Sequence, residues 1–164
     1  MKTKSGNLKP FGLSFVDDQV NFSLYAPHAE SCDICIYDEK GHHVDTICLN
    51  RQTHFHDGIW HVSCEAKRLE NHQYLFCLDG TKFVLDPYAK FLNTDTVWGS
   101  GAKMIETKGI IKKVPLFDWE HVASPNYQFQ ESIIYEMHTR SFTIKADVKY
   151  PGTFLGIIEK IPHF

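Results

Sequence analysis

The segment 135–140 carries the densest group of side chains that could take part in chemistry. Contiguous apolar residues lead into it, and the alternation that follows is typical of a strand in which Tyr135 faces one side while Glu136 and His138 face the other. One interpretation is that Tyr135 or His138 lines a substrate pocket at the C-terminal end of that strand. The alternative is a structural role, for example an ion pair between Glu136 and Arg140.

Two further patterns have the spacing of metal ligands, and each has a structural explanation. Cys32 and Cys35 form a C-x-x-C pair, but no second pair completes four ligands. Residues three apart on a strand face opposite sides, so we predict buried thiols. His54 and His56 would put two imidazoles on one strand face, and we expect exposed histidines there. We therefore predict neither a metal site nor a cofactor.

The segment 20–85 is predicted to form a succession of short strands separated by turn signals. The predicted strands are 20–25, 32–37, 44–49, 58–63, 73–78 and 81–85. The last two form a hairpin about Asp79 and Gly80, a strong hairpin signal. Strands at this spacing, with no helical period between them, indicate an antiparallel β-sandwich.

The pattern changes after Pro87, which cannot donate to a strand ladder. The segment 88–130 has few periodic stretches and is predicted to be an irregular connection. We expect a buried strand of a parallel sheet at 132–138 and a helix at 154–161, with Thr153 as its N-cap. Strand, loop and helix make half of a βαβ unit, and a parallel partner strand is expected to follow.

Composition and charge narrow the class of protein. Hydrophobic residues make up 43% and charged residues 23%, as in globular chains. The 17 Lys and Arg against 20 Asp and Glu give a net charge of −3, which argues against nucleic-acid and anionic-membrane partners. No apolar run approaches the roughly 20 residues of a membrane-spanning helix, and no secretory h-region is seen. A cytoplasmic location is the expectation.

Six sequence blocks carry a family resemblance, and they occur in the family's order. The blocks are NFSLYA at 21–26, GIW at 58–60, DPYAK at 86–90, FDWE at 117–120, IIYEMHTRSFT at 133–143 and GTFLGIIEKIP at 152–162. Together they resemble the start of the isoamylase-type glycogen-debranching enzymes of the α-amylase superfamily, glycoside hydrolase family 13. The resemblance extends from about Pro10 to the last residue.

The resemblance implies a mainly β fold in three parts. Residues 1–90 would be an immunoglobulin-like β-sandwich, the family's carbohydrate-binding module. Residues 91–130 would be an interdomain connection, and residues 131–164 the first strand and helix of a truncated (β/α)₈ barrel. The family's catalytic Asp, Glu and second Asp lie on later barrel strands, so the resemblance assigns no catalytic residue to this chain.

The carboxylates that are present do not form a hydrolytic pair. Glycoside hydrolysis needs two carboxyl groups about 5–9.5 Å apart across the scissile bond. Glu131 and Glu136 would face opposite sides of one strand, Asp147 falls in a loop and Glu159 on the helix. We expect no hydrolysis from this chain alone. The resemblance implies a parent enzyme that cleaves α-1,6 branches by retaining double displacement.

Four residues are predicted to bind substrate: Trp60, Trp98, Tyr135 and His138. Trp60 offers a flat face for stacking on glucose, with a core position as the alternative. Trp98 falls in a loop and is the more exposed candidate, with packing against the barrel as its alternative. The expected partners are glycogen or a branched α-glucan and the remainder of the barrel. The rival functions are a stand-alone glycan-binding sandwich and a protein-interaction module.

Overall fold

The computed structural model describes residues 2–93, 107–115 and 117–164. The chain divides into two units, residues 1–116 and residues 117–164. The first unit contains the β structure, and the second is built from short helices and turns. Among the described residues, no helix has the length and apolar character needed to cross a bilayer.

The described part of the first unit contains two antiparallel sheets of five strands each. The first sheet has the order β1-β7-β3-β2, with β6 paired to β7. Its strands are β1 (Thr3–Lys4), β2 (Gly12–Val16), β3 (Gln19–Tyr25), β6 (Phe55–His56) and β7 (Ile59–Glu65). Strand β2 is therefore an edge strand, hydrogen-bonded only to β3 within this sheet.

The second sheet has the order β10-β8-β4-β5, with β9 paired to β8. Its strands are β4 (Cys32–Tyr37), β5 (His43–Cys48), β8 (Gln73–Leu78), β9 (Lys82–Val84) and β10 (Gly109–Ile110). A short helix, α1 (Arg51–His54), precedes β6, and a 3₁₀ turn at Ala66–Arg68 follows β7.

The core lies between the inner faces of the two sheets. Alternate residues of each strand point inward, so Val20, Phe22 and Leu24 of β3 meet Tyr74 and Phe76 of β8. The Phe22 and Tyr74 rings are 5.2 Å apart between centroids and meet edge to face, a favoured aromatic geometry. The predicted antiparallel β-sandwich is confirmed.

The predicted hairpin about Asp79 and Gly80 is also confirmed. Their φ angles are 52° and 67°, and together with Thr81 they form the three-residue loop between the paired residues Leu78 and Lys82. Asp79 Oδ1 also accepts hydrogen bonds from the backbone N–H groups of Glu30 and Ser31, at 2.8 and 3.1 Å. The turn is thereby tied to the loop before β4.

The sandwich unit extends past residue 90, where the sequence-based boundary was set. Strand β10 pairs with β8, and Ile111 after it is completely buried in the core. Gly109 makes this pairing possible, because a Cβ at that position would collide with the Tyr74 ring. A two-residue strand of this kind is too short for a periodic signal in sequence, so only its packing reveals it.

The second unit contains α2 (Thr139–Thr143), α3 (Phe154–Ile158) and 3₁₀ turns at Phe129–Glu131 and Ile161–His163. The Thr153 hydroxyl accepts a hydrogen bond from Gly156 N at 3.3 Å, which confirms the predicted N-cap. Helix α3 ends at Ile158, earlier than the predicted end at residue 161, and the 3₁₀ turn at Ile161–His163 follows it.

The predicted strand at 132–138 is not a paired strand in the described structure. Its two ends have extended backbone angles, with ψ of 138° at Ser132 and 116° at His138. A strand acquires its ladder only from a neighbour, and none of the described residues provides one here. Ile133 and Ile134 are consequently exposed.

Candidate functional site

A concave polar site lies at the end of the second sheet where β8 begins and β10 pairs with it. It encloses about 590 Å³. We call it the amide groove, and the lining residues that matter here are Glu39, Lys40, Asn71, Gln73, Asn93 and Lys108. Binding sites in proteins are usually clefts of this size with a few fixed polar groups.

Two carboxamide side chains form a hydrogen-bonded chain along the groove. Gln73 Nε2 donates to the Glu39 carbonyl at 3.0 Å, and Gln73 Oε1 accepts from Asn93 Nδ2 at 2.9 Å. Asn93 Oδ1 in turn accepts from the backbone N–H of Lys108 at 2.7 Å. Gln73 is only 6% exposed, so the position of its amide is set by these bonds before any ligand arrives.

Lys108 adds a fixed positive charge to the groove. Its side chain is buried, and its ammonium group lies 4.8 Å from the centroid of the Tyr37 ring. The Tyr37 ring itself meets His43 edge to face at 5.5 Å. A cation over an aromatic face is held by the ring's quadrupole, so the Lys108 side chain has a defined position.

The chemistry of the groove is that of binding. Carboxamides both donate and accept hydrogen bonds, as the hydroxyl groups of a sugar do. Backbone carbonyls and ammonium groups around Gln73 and Asn93 supply acceptors and donors in known directions. A ligand rich in hydroxyl groups matches this set.

Trp60 is not a sugar-binding residue, which corrects one sequence-based assignment. It is 1% exposed, lies in the core between the sheets and packs against Phe55 at 4.8 Å. A ring enclosed on both faces cannot stack on a sugar. The alternative core position is therefore the correct one. Trp98, the other predicted tryptophan, lies outside the described residues.

Tyr135 and His138 lie in the second unit and are held by local contacts. His138 Nδ1 accepts a hydrogen bond from Ser141 N at 3.2 Å, so the imidazole caps the N-terminus of α2. Tyr135 is 60% exposed and packs against the rings of Phe142 and Phe164. Among the described residues, no ion pair joins positions 136 and 140.

The cysteines and paired histidines have structural roles. Cys32 and Cys35 are buried strand thiols, as predicted. Burial raises the pKa of Cys64 to about 11 and also raises that of Cys32, so both remain protonated at neutral pH. The expected exposure is wrong for His54, which is buried at the end of α1, where its Nδ1 accepts a hydrogen bond from Asn50 N at 2.9 Å. Within residues 2–93, 107–115 and 117–164, no three His, Cys, Asp or Glu side chains converge as metal ligands.

The groove residues were missed by sequence reasoning. Gln73 was the one weak signal, because it is a polar residue at the start of an otherwise apolar strand. Asn93 and Lys108 lie in a segment without periodicity, and their hydrogen bonds to each other and to Gln73 depend on the pairing of β10 with β8.

Residues 10–89 match carbohydrate-binding module 48, described as the isoamylase N-terminal domain. The match contains Gln73 and Glu39 and ends before Asn93 and Lys108.

Two relatives align with nearly the whole chain. Isoamylase 3, chloroplastic, from Oryza sativa subsp. japonica is 31% identical over 189 residues, which span 99% of this chain and 24% of the relative. The glycogen debranching enzyme of Erwinia tasmaniensis is 29% identical over 193 residues, spanning 100% of this chain and 28% of the relative. The chain thus spans about a quarter of the length of these relatives.

Solved structures agree with the sequence relatives. The pullulanase from Bacillus acidopullulyticus superposes with a TM-score of 0.64 at 26% identity, over 90% of this chain and 18% of that one. The pullulanase SAP of Group B Streptococcus gives a TM-score of 0.66 at 26% identity, over 94% of this chain and 22% of that one. Through residues 10–89, the chain is similar to carbohydrate-binding module 48, the family of isoamylase N-terminal domains.

Proposed function

We propose that the sandwich unit binds an α-glucan in the amide groove and that the chain is part of a debranching glycosidase acting on α-1,6 branches of glycogen or a related glucan. The observation that carries the proposal is the preset pair of amides, Gln73 and Asn93, in a unit similar to carbohydrate-binding module 48. The names of the relatives, isoamylase and glycogen debranching enzyme, support the same substrate class.

The rigidity of the groove favours binding of a flexible polysaccharide. A ligand with many rotatable bonds loses conformational entropy on binding, so a site that is already ordered adds less to that cost. Gln73 and Asn93 are held by each other, by the Glu39 carbonyl and by the Lys108 backbone. The groove therefore presents ordered groups to the glucan hydroxyls.

Trp98 belongs to this proposal as a stacking residue. Asn93 and Lys108, which flank the segment that contains Trp98 in sequence, are hydrogen-bonded to each other in the amide groove. Trp98 is five residues from Asn93 in sequence. An indole face near a row of amides is the combination of apolar and polar contacts that a sugar ring needs.

We further propose that residues 131–164 are the opening of the catalytic (β/α)₈ barrel. Ile133 is 98% exposed and Phe154 is 76% exposed, both much more than is usual for such large apolar side chains. The segment 132–138 has extended ends and no paired neighbour among the described residues. A barrel strand and helix without the rest of their barrel would have these properties.

The test is affinity electrophoresis of the full 164-residue chain through gels with and without glycogen. We expect retardation by glycogen and a marked loss of it in Gln73→Ala, because the amide chain is then broken. Gln52→Ala, at an exposed position on α1, is the matched control and should be retarded like the parent.

A second variant separates loss of binding from loss of folding. Lys40→Ala changes an exposed rim residue and should weaken retardation without altering the melting temperature. Glucan binding in the groove is refuted if the parent chain migrates equally in both gels, or if Gln73→Ala and Lys40→Ala are both folded and fully retarded.

A further inference from the structure

A second cavity, of about 690 Å³, lies beside the edge strand β2. Its apolar lining comes from Phe11, Leu13 and Phe15 on or next to β2 and from Tyr88 beyond Pro87. The Phe11 and Tyr88 ring centroids are 5.6 Å apart. Tyr88 is 51% exposed, so part of this aromatic surface is open to a ligand. We call this cavity the cationic groove.

Three exposed lysines share this cavity: Lys90, Lys112 and Lys113. The Lys113 ammonium lies 5.6 Å from the centroid of Phe15, and the Lys112 ammonium lies 5.6 Å from the centroid of Phe91. Such contacts keep each ammonium group near the face of an aromatic ring.

The positive charge of the cationic groove has little compensation from the protein. Among the described residues, none of these three lysines takes part in an ion pair. Asp17 is the single acidic residue in the part of the lining that the structure describes. The chain as a whole has a net charge of −3, so this is a local concentration of positive charge. An anion placed in the groove would gain favourable interactions with the ammonium groups that line it.

We propose that the cationic groove binds a glucosyl group that carries a phosphate monoester. The aromatic side chains supply apolar surface for the C–H face of the sugar ring, and the lysines supply the counter-charge for the phosphate. A phosphate monoester carries a charge of about −1.5 to −2 at neutral pH, which suits several lysines better than a single carboxylate does. The sugar part of this inference rests on the proposed α-glucan ligand.

The experiment compares two gels that differ only in phosphate. One contains phosphorylated amylopectin and the other contains the same amylopectin after phosphatase treatment, and migration is expressed relative to a gel without glucan. We expect stronger retardation of the 164-residue chain by the phosphorylated material. In Lys90→Ala/Lys113→Ala the difference between the two gels should disappear, because two of the ammonium groups are lost.

The matched control removes the same charge elsewhere. Lys2→Ala/Lys145→Ala changes two exposed lysines that do not line the cationic groove and should keep the difference between the gels. Loss of the difference in this control would overturn the proposal, because net charge would then explain the effect. Both double variants change exposed side chains and should melt at the parent's temperature.

The result separates this inference from the proposed function. Equal retardation in both gels overturns the phosphate site and leaves glucan binding in the amide groove intact. Retardation by the phosphorylated gel alone supports the phosphate site and contradicts binding of neutral glucan.

Competition with small molecules identifies the source of the phosphate. If free glucose 1-phosphate abolishes the retardation of the chain by phosphorylated amylopectin, the result supports binding of a soluble sugar phosphate. If the retardation persists, it supports binding of a phosphate ester carried by the glucan. Release by inorganic phosphate at the same concentration as glucose 1-phosphate overturns the glucosyl part of the proposal.

Discussion

The Tyr74 hydroxyl donates a hydrogen bond of 2.6 Å to Asp86 Oδ2, and both residues are buried. The other carboxylate oxygen accepts from Tyr88 N at 2.8 Å. Burial, with the Asp86 charge beside it, raises the pKa of Tyr74, so the phenol remains the donor at all ordinary pH values. The bond ties the segment after β9 to the middle of the second sheet.

Removing the donor should destabilise the sandwich markedly. Tyr74→Phe keeps the ring and leaves Asp86 Oδ2 buried without its partner, which costs about 1–3 kcal/mol. We expect a lower midpoint in urea unfolding with an unchanged slope. Tyr25→Phe removes a hydroxyl from an exposed ring and should leave the midpoint where it is. Equal midpoints for Tyr74→Phe and the parent would show that the bond contributes nothing.

The extension of the sandwich beyond residue 90 is testable through Ile111. This side chain is completely buried, so Ile111→Ala should lower the free energy of unfolding of the sandwich by about 2–5 kcal/mol. Ile110→Ala, at a partly buried neighbour, is the matched control and should cost less. Urea unfolding of both variants measures the difference. If the boundary lay at residue 90, neither change would affect the sandwich.

Sequence patterns revealed the sandwich because its strands have a period of two and its hairpin uses Asp79 and Gly80. They did not reveal the amide groove, because Gln73 and Asn93 meet only through the tertiary pairing of β10. The ring of Trp60 shows a second limit. Side chains along β7 alternate between two faces, so the sequence predicts that one face points inward. Assigning Trp60 to the inward face requires the position of the opposite sheet.

Two buried histidines should make stability depend on pH. His61 is 5% exposed, and its Nδ1 lies 3.5 Å from Ser5 Oγ. Burial lowers the pKa of His61 and also the pKa of His54. Below about pH 6.5, these histidines are therefore protonated in the unfolded chain but remain neutral in the folded chain. The stability from these histidines is complete above that pH and is lost as the pH falls towards the folded-state pKa values.

The measurement is the urea midpoint between about pH 7.5 and pH 5.5, a range that brackets the histidine pKa and lies above those of most carboxyl groups. The parent should lose stability on acidification, and His61→Gln should lose less. His28→Gln, at an exposed position, should follow the parent. A slope in His61→Gln as steep as the parent's would mean that His61 does not contribute.

Trp98 provides the sharpest test of where the glucan lies. If its indole stacks on a sugar ring at the rim of the amide groove, Trp98→Ala should weaken apparent glycogen affinity by about tenfold, equivalent to about 1.4 kcal/mol. Trp119→Ala is the matched control, because Trp119 is 66% exposed and lies in the other unit. Affinity gels at several glycogen concentrations give both values. Full affinity in Trp98→Ala, with Gln73→Ala still impaired, would show that only the hydrogen-bonding groups recognise the glucan. Full affinity in both variants would show that the glucan does not bind in the amide groove.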